Sequence, residues 1–250
     1  GRRKPKMAAY DCVLRGIKHL RGYAPGDNER AIELFQQAMD LDPDYALARA
    51  YRGFADVVAS GYDETPPELL RRAQEMAAEA VRMDEHDGRC CWLLGLIHFY
   101  CGNFREEEQH YRRALALNPN DANALATLGA AMAAQGRHQE GIDHVRAAMR
   151  LNPYHPEWYW NTLGNMFYTA HRYGDSLEAY GHKSNRNYWV MSRFAACYAQ
   201  LGRMEEARAA AAEVIRLKPA FAISELSRAS RGDGDTEHLR DGMRKAGLPE

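Results

Sequence analysis

Between His86 and Pro153 one 34-residue pattern is written twice, end to end. Shifting the second copy back places Leu94-Gly95 on Leu128-Gly129, Gly102 on Gly136 and Ala114 on Ala148. Leu117-Asn118-Pro119 likewise falls on Leu151-Asn152-Pro153. A repeat of this length is a helix-turn-helix unit that cannot bury its own apolar face and must stack on a copy of itself. Each recurring position has a physical reason. Gly95 and Gly129 allow two helices to approach closely, and Gly102 and Gly136 sit where the chain must turn sharply. Ala114 and Ala148 let the second helix nest, and Pro119 and Pro153 block its continuation. The expectation is an all-α chain built from stacked helical pairs.

A Leu-Gly pair, a small mid-unit residue, an aromatic, an Ala and a closing Pro together resemble the tetratricopeptide repeat (TPR). The resemblance implies a right-handed solenoid of about six helix-turn-helix repeats, closed by C-terminal capping helices. Residues 1–7 read as a tag remnant and linker, and 8–250 as one continuous domain. Approximate repeats fall at 8–45, 46–87, 88–121, 122–156, 157–187 and 188–221, with a cap over 222–250. The first repeat carries Ala31, Phe35 and Ala38 and closes at Leu41-Asp42-Pro43. In the second, either Gly53 or the Phe54-Ala55 pair can hold the close-packing position. Thr65-Pro66-Pro67-Glu68 predicts a helix start with Thr65 as its N-cap. Glu85 stands where the closing Pro is expected. Repeat five has Leu163-Gly164 and Tyr180 but lacks its closing proline, and its end looks shortened over Lys183–Asn187. Repeat six returns to the pattern with Phe194-Ala195, Gly202, Ala207 and Pro219. Phe221–Ser230 and Asp235–Lys245 are expected to form two closing helices.

Composition excludes several functions. A net charge of −1 gives no global field for nucleic acid or an anionic membrane. Arg71-Arg72 and Arg112-Arg113 are isolated pairs, too sparse for a nucleic-acid footprint. The apolar run Cys90–Cys101 is too short to span a bilayer and is interrupted by Gly95 and His98. Five cysteines without a CxxC spacing fit free thiols in a reducing compartment, so a cytoplasmic protein is expected. A Walker loop, HExxH, GxSxG and GxGxxG are absent from the sequence, and no cofactor is expected. Cys91, His98 and Cys101 are the best metal candidates. Ligands two turns apart on one helix do not converge on one ion, and core packing is the reading adopted.

Particular phrases resemble the C-terminal TPR region of bacterial class III adenylate/guanylate cyclase-related proteins. They are Ala9–Gly16, Leu41–Ala46, Asn152–Tyr159 and Gly242–Glu250. Related TPR regions also follow winged-helix regulators. The resemblance therefore implies a regulatory region whose catalytic or DNA-binding module would lie N-terminal to Gly1. It supplies no catalytic residues. The implied partners are a protein or peptide ligand or the chain's own N-terminal module; the irregular outer repeats carry the alternative expectation of self-association into a homo-oligomer.

The TPR resemblance also places certain first-helix side chains on the inner, concave surface. These are Trp92, Phe99 and Tyr100 of repeat three, Trp158, Asn161, Asn165 and Tyr168 of repeat five, and Trp189 of repeat six. Some TPR co-chaperones grip a C-terminal carboxylate with a Lys/Asn/Arg clamp, and Asn161 stands here where that clamp uses Lys. The expectation is recognition of an extended backbone by two amides four residues apart, flanked by aromatic anchors.

Overall fold

Helix ends are set by a short local code in this chain. In the computed structural model, which describes residues 4–22, 24–225 and 233–250, the residue after each long second helix adopts one extended conformation. Its φ, ψ values are −144°, 84° at Asp42; −140°, 87° at Asp84; −145°, 94° at Asn118; −128°, 86° at Asn152; and −140°, 88° at Lys218. Four of the five precede proline, whose ring disfavours the helical region for the residue before it. Asp84 precedes Glu85, yet bends identically. Its carboxylate accepts the His86 amide at 3.1 Å, as the Asn118 side chain accepts the Asn120 amide at 3.1 Å.

The chain divides into two compact units, Gly1–Leu125 and Ala126–Glu250. The first contains α1 (Met7–Leu20), α2 (Asp27–Leu41), α3 (Ala46–Ala59), α4 (Pro67–Met83), α5 (Gly88–Tyr100) and α6 (Phe104–Leu117). The division falls within α7 (Ala122–Ala133). The second continues with α8 (His138–Leu151), α9 (Trp158–Thr169), α10 (Tyr173–Gly181), α11 (Tyr188–Gln200), α12 (Met204–Leu217) and α13 (Asp233–Lys245). Among the described residues these thirteen α-helices and two short 3-10 turns are joined by no strand.

Inside each helical pair the turn passes through the left-handed region. The residues are Gly26 (φ 85°), Gly61 (83°), Gly102 (76°), Gly136 (84°), His171 (58°) and Gly202 (73°). Glycine reaches this conformation without a steric cost, so His171 is the exception in the series. First helices meet second helices at small residues. A Cβ on Gly16, Gly95 or Gly164 would strike the ring of Phe35, Tyr111 or Tyr180, at 2.6, 2.5 and 2.6 Å. At Gly53 and Gly129 it would strike backbone instead, Ala73 O at 2.9 Å and Gly141 O at 2.7 Å. Gly53, not Phe54-Ala55, thus holds the close-packing position of repeat two.

The irregular joints have specific causes. Thr65 does not cap α4. Pro66 and Pro67 bring no amide hydrogens to cap, and the Thr65 hydroxyl donates backwards to the carbonyls of Val57 (3.2 Å) and Tyr62 (2.6 Å). At the end of repeat five, α10 has 9 residues against 14 in α6, α8 and α12. There Glu157 takes over the role of the missing proline joint. It accepts the Ser184 amide at 3.2 Å and the Ser184 hydroxyl, and lies 3.9 Å from the buried Lys183 ammonium. At the other end of the chain, Lys6 is tied down, its amide bonded to Asp42 Oδ2 at 2.9 Å and its ammonium to Leu41 O at 2.9 Å. The first expected closing helix is replaced at its start by a 3-10 turn, Ile223–Glu225, and its remainder, 226–230, lies outside the described residues. α13 then folds back on α11 and α9, adding Met243, Ala246 and Leu248 to a core with Phe221, Ile223 and Val214.

Candidate functional site

The eight side chains expected on the inner surface divide between the two units. In the first, Trp92 is 8% exposed, and its indole nitrogen is buried without a hydrogen-bond partner. Phe99 and Tyr100 are half-buried at the C-terminal end of α5. Their rings meet edge-on at 5.1 Å, Phe99 leans on Phe104 at 6.2 Å, and Tyr100 on Tyr62 at 5.5 Å. Phe99 and Tyr100 form part of the packing between α5 and the segments beside it, and Trp92 is buried.

Metal candidates lie in the same unit. Cys91 and His98 are buried, and Cys101 is half-buried with its sulfur 3.9 Å from Gln74 Oε1. His98 stacks on His110 at 5.2 Å and contacts Asn103 at 3.3 Å. Burial, then the neighbouring His98 imidazole, pulls the His110 pKa down to about 4. Among the described residues no three His, Cys, Asp or Glu side chains gather to hold a metal ion.

In the second unit α9 presents Trp158, Asn161 and Asn165 along one side, as the i, i+3, i+7 spacing requires. Trp158 is half-buried against Tyr159, with ring centroids 4.2 Å apart. Asn161 is half-buried, and its Oδ1 is enclosed without a donor. Asn165 is exposed, and its Oδ1 accepts the Tyr180 hydroxyl at 2.6 Å. Trp189, at the start of α11, is half-buried and lies edge-on to Tyr180 at 6.2 Å.

Tyr168 departs from the expectation. It is 2% exposed beneath α13, donates to His238 O at 3.2 Å and accepts from Gln200 at 3.4 Å. Gly242 of α13 touches its hydroxyl so closely that no side chain fits there. Burial raises the Tyr168 pKa, which keeps the phenol neutral. Tyr168 therefore belongs to the core that holds the cap, and only Trp158, Asn161, Asn165 and Trp189 remain at a surface in this unit.

One residue of this face escaped the sequence reading. Arg193 is 8% exposed, and its guanidinium lies over the Trp189 ring, 4.0 Å from the centroid. Nη1 donates to Ser192 Oγ at 3.1 Å. The available signal was the i, i+4 spacing of Trp189 and Arg193, the separation at which a cation stacks on a ring along one helix.

A family model described as tetratricopeptide repeat matches residues 93–156, and a second of the same description matches 26–45 and 191–221. Protein bimA of Emericella nidulans is 25% identical over 114 residues, a stretch covering 46% of this chain and 12% of that protein. Among solved structures, pilF of Pseudomonas aeruginosa superposes with a TM-score of 0.57 at 19% identity, covering 86% of this chain and 93% of that one. PilW, a type IV pilus biogenesis factor, gives 0.62 at 16% identity, covering 86% and 96%. The APC/C hetero-tetramer Cut9-Hcn1 gives 0.67 at 17% identity, covering 94% of this chain and 45% of that one. At such identities the likeness is one of fold. Repeat matches, helical pairs and superpositions agree: the chain carries tetratricopeptide repeats and has the all-α fold of a TPR solenoid.

Proposed function

We propose that the chain is a non-catalytic protein-interaction module whose α9–α11 face takes an extended protein or peptide segment. The observation that carries this reading is the pair Asn161 and Asn165. One is exposed and the other holds a buried carbonyl oxygen without a donor, and both lie beside half-buried tryptophans. A buried acceptor left without a partner costs about 1–3 kcal/mol, and turning the Asn161 amide outward to a backbone N–H of a bound segment would recover that cost. Trp158 and Trp189 would supply contact area at low entropic cost, as aromatic anchors do at interfaces. Trp92, Phe99 and Tyr100 lie in the other unit, and the proposal does not depend on them.

The test uses peptides selected on the intact chain from a random display library. Trp158→Ala and Asn165→Ala should each weaken binding of a selected peptide by about 2 kcal/mol, the scale of a central anchor, with helical circular dichroism unchanged. Full binding by both variants would remove the reading.

A signalling parent of cyclase-related or winged-helix type is a finer version of this proposal, supported by the four sequence phrases that resemble such proteins. Reading the natural frame upstream of Arg2 decides it. A cytoplasmic location likewise rests on the cysteines, all five of which stand as free thiols.

A further inference from the structure

Among the described residues, the turns inside helical pairs use glycine except at His171, whose φ is 58°. A side chain kept at a strained position where glycine serves elsewhere calls for a reason in what that side chain touches. His171 Nδ1 lies 2.7 Å from the Tyr173 hydroxyl, and the same oxygen lies 3.0 Å from His238 Nε2 on α13. The two imidazole rings stand 4.6 Å apart, tilted by 46°. Three donor atoms, from the turn after α9, the start of α10 and the middle of α13, thus meet at one place in unit two. His171 is exposed and the other two are half-buried, so that place is reached from solvent. Tyr168 holds His238 from behind, with ring centroids 5.0 Å apart and its hydroxyl donating to the His238 carbonyl at 3.2 Å.

We propose that His171 Nδ1, Tyr173 Oη and His238 Nε2 together bind one transition-metal dication, and that the ion fastens α13 to repeat five. Imidazole nitrogen suits zinc, copper and nickel, and the phenol oxygen completes the set. Ligands held about 2.0–2.1 Å from a tetrahedral ion lie about 3.3 Å from one another. The spacings of 2.7 and 3.0 Å from the phenol oxygen therefore need to open by only roughly half an ångström. On binding, the phenol proton passes to solvent, and each imidazole turns a lone pair to the ion with its own proton on the far nitrogen. Water takes the remaining position, as it does where three protein ligands hold zinc. Asp241 and Asp235 bring negative charge towards His238 and favour a dication there, while Lys245, 2.7 Å from Asp241, opposes them. Without the ion the three side chains are joined only by hydrogen bonds through the phenol. The set shares no residue with Cys91, His98 and Cys101 of the other unit.

The test titrates the full chain, freed of metal by a chelator, with Zn²⁺, Cu²⁺ and Ni²⁺, and with Mg²⁺ as a cation that prefers oxygen ligands. One equivalent of each of the first three should bind, and no Mg²⁺. Binding should raise the melting temperature and slow amide exchange in 235–245, because an ion that binds only the folded state stabilises it. Cu²⁺ should give a visible phenolate-to-copper charge-transfer band, and calorimetry in buffers of different ionisation enthalpy should register the released proton. His238→Gln should lower affinity by at least the roughly 10–100-fold that loss of an outer contact costs at metal sites. His171→Gly should do the same while keeping the left-handed turn. Tyr173→Phe should weaken binding and abolish both the band and the proton release. His144→Ala, on α8, should change nothing. Absence of stoichiometric binding would overturn the proposal. So would one equivalent that survives His171→Gly and His238→Gln alike, which would place the ion on others of the ten histidines. Binding lost in both variants, but without the band, the proton release or the protection of 235–245, would overturn the three-donor set.

Discussion

Gly129 and His110 show how single positions in this chain answer to different forces. A Cβ on Gly129 would lie 2.7 Å from Gly141 O and 3.0 Å from His144 Cβ. Gly141 presses back on the Gly129 carbonyl just as closely, so neither helix has a flexible side chain to move aside. Gly129→Val should therefore destabilise the protein by about 1–3 kcal/mol, the cost of overpacking, read as a lower urea midpoint; an unchanged midpoint would refute the close approach. His110 responds to protons instead. Its pKa falls from 6.5 to about 4, so below pH 6.5 the unfolded chain binds a proton that the folded chain refuses. Stability should then be full above 6.5 and decline as pH falls toward about 4. His110→Gln should flatten the fall of melting temperature across that window.

At the scale of the element, the telling piece is α13. Its attachment to repeat five runs through the Tyr173 hydroxyl, 2.7 Å from His171 Nδ1 and 3.0 Å from His238 Nε2. The two imidazoles stand 4.6 Å apart. Burial, and next the His171 imidazole, holds the His238 pKa below its ordinary value, while Asp241 and Asp235 oppose that shift and Lys245 adds to it. The neutral ring is the one the folded state accommodates, so acidification below the ordinary histidine range should loosen α13 rather than tighten it. Amide exchange in 235–245, corrected for intrinsic rate, should be faster at acid pH than at neutral pH. His171→Asn keeps a residue tolerant of the left-handed turn and removes one repelling imidazole. It should reduce that pH dependence, and an unaltered profile would show that His171 has no part in it.

For the whole molecule, the question is what the C-terminal segment does for the stack that precedes it. A solenoid's last pair leaves an apolar face that must be covered. Here Phe221, Ile223, Met243 and Leu248 are 0–5% exposed in one cluster with Val214 and Ala211. Deleting 221–250 removes them and uncovers the face of α11 and α12 beneath. Each large side chain lost from the core represents roughly 1.5–3 kcal/mol of burial. The shortened chain should melt at lower temperature and self-associate in light scattering. A shortened chain that stays monomeric with its original midpoint would deny the segment its capping role.

Most of the helix punctuation could be read from the amino acids alone, because its physics is local. A residue before proline cannot stay helical, and a glycine can turn left-handed where others strain. Those two rules mark the ends at Asp42, Asn118, Asn152 and Lys218 and the turns at Gly102, Gly136 and Gly202. Of the candidate site, Trp158, Asn161, Asn165 and Trp189 were named from the sequence through the TPR resemblance, and helical spacing puts the first three on one side of α9. What remained depended on which distant segments pack together. Gly53 is identified only by the carbonyl of Ala73 lying against it. Tyr168 is withdrawn from the surface by a helix whose His238 carbonyl is 70 residues away along the chain. Arg193 is drawn into this face by packing that buries it to 8% exposure over the Trp189 ring, which spacing within α11 allows and does not require.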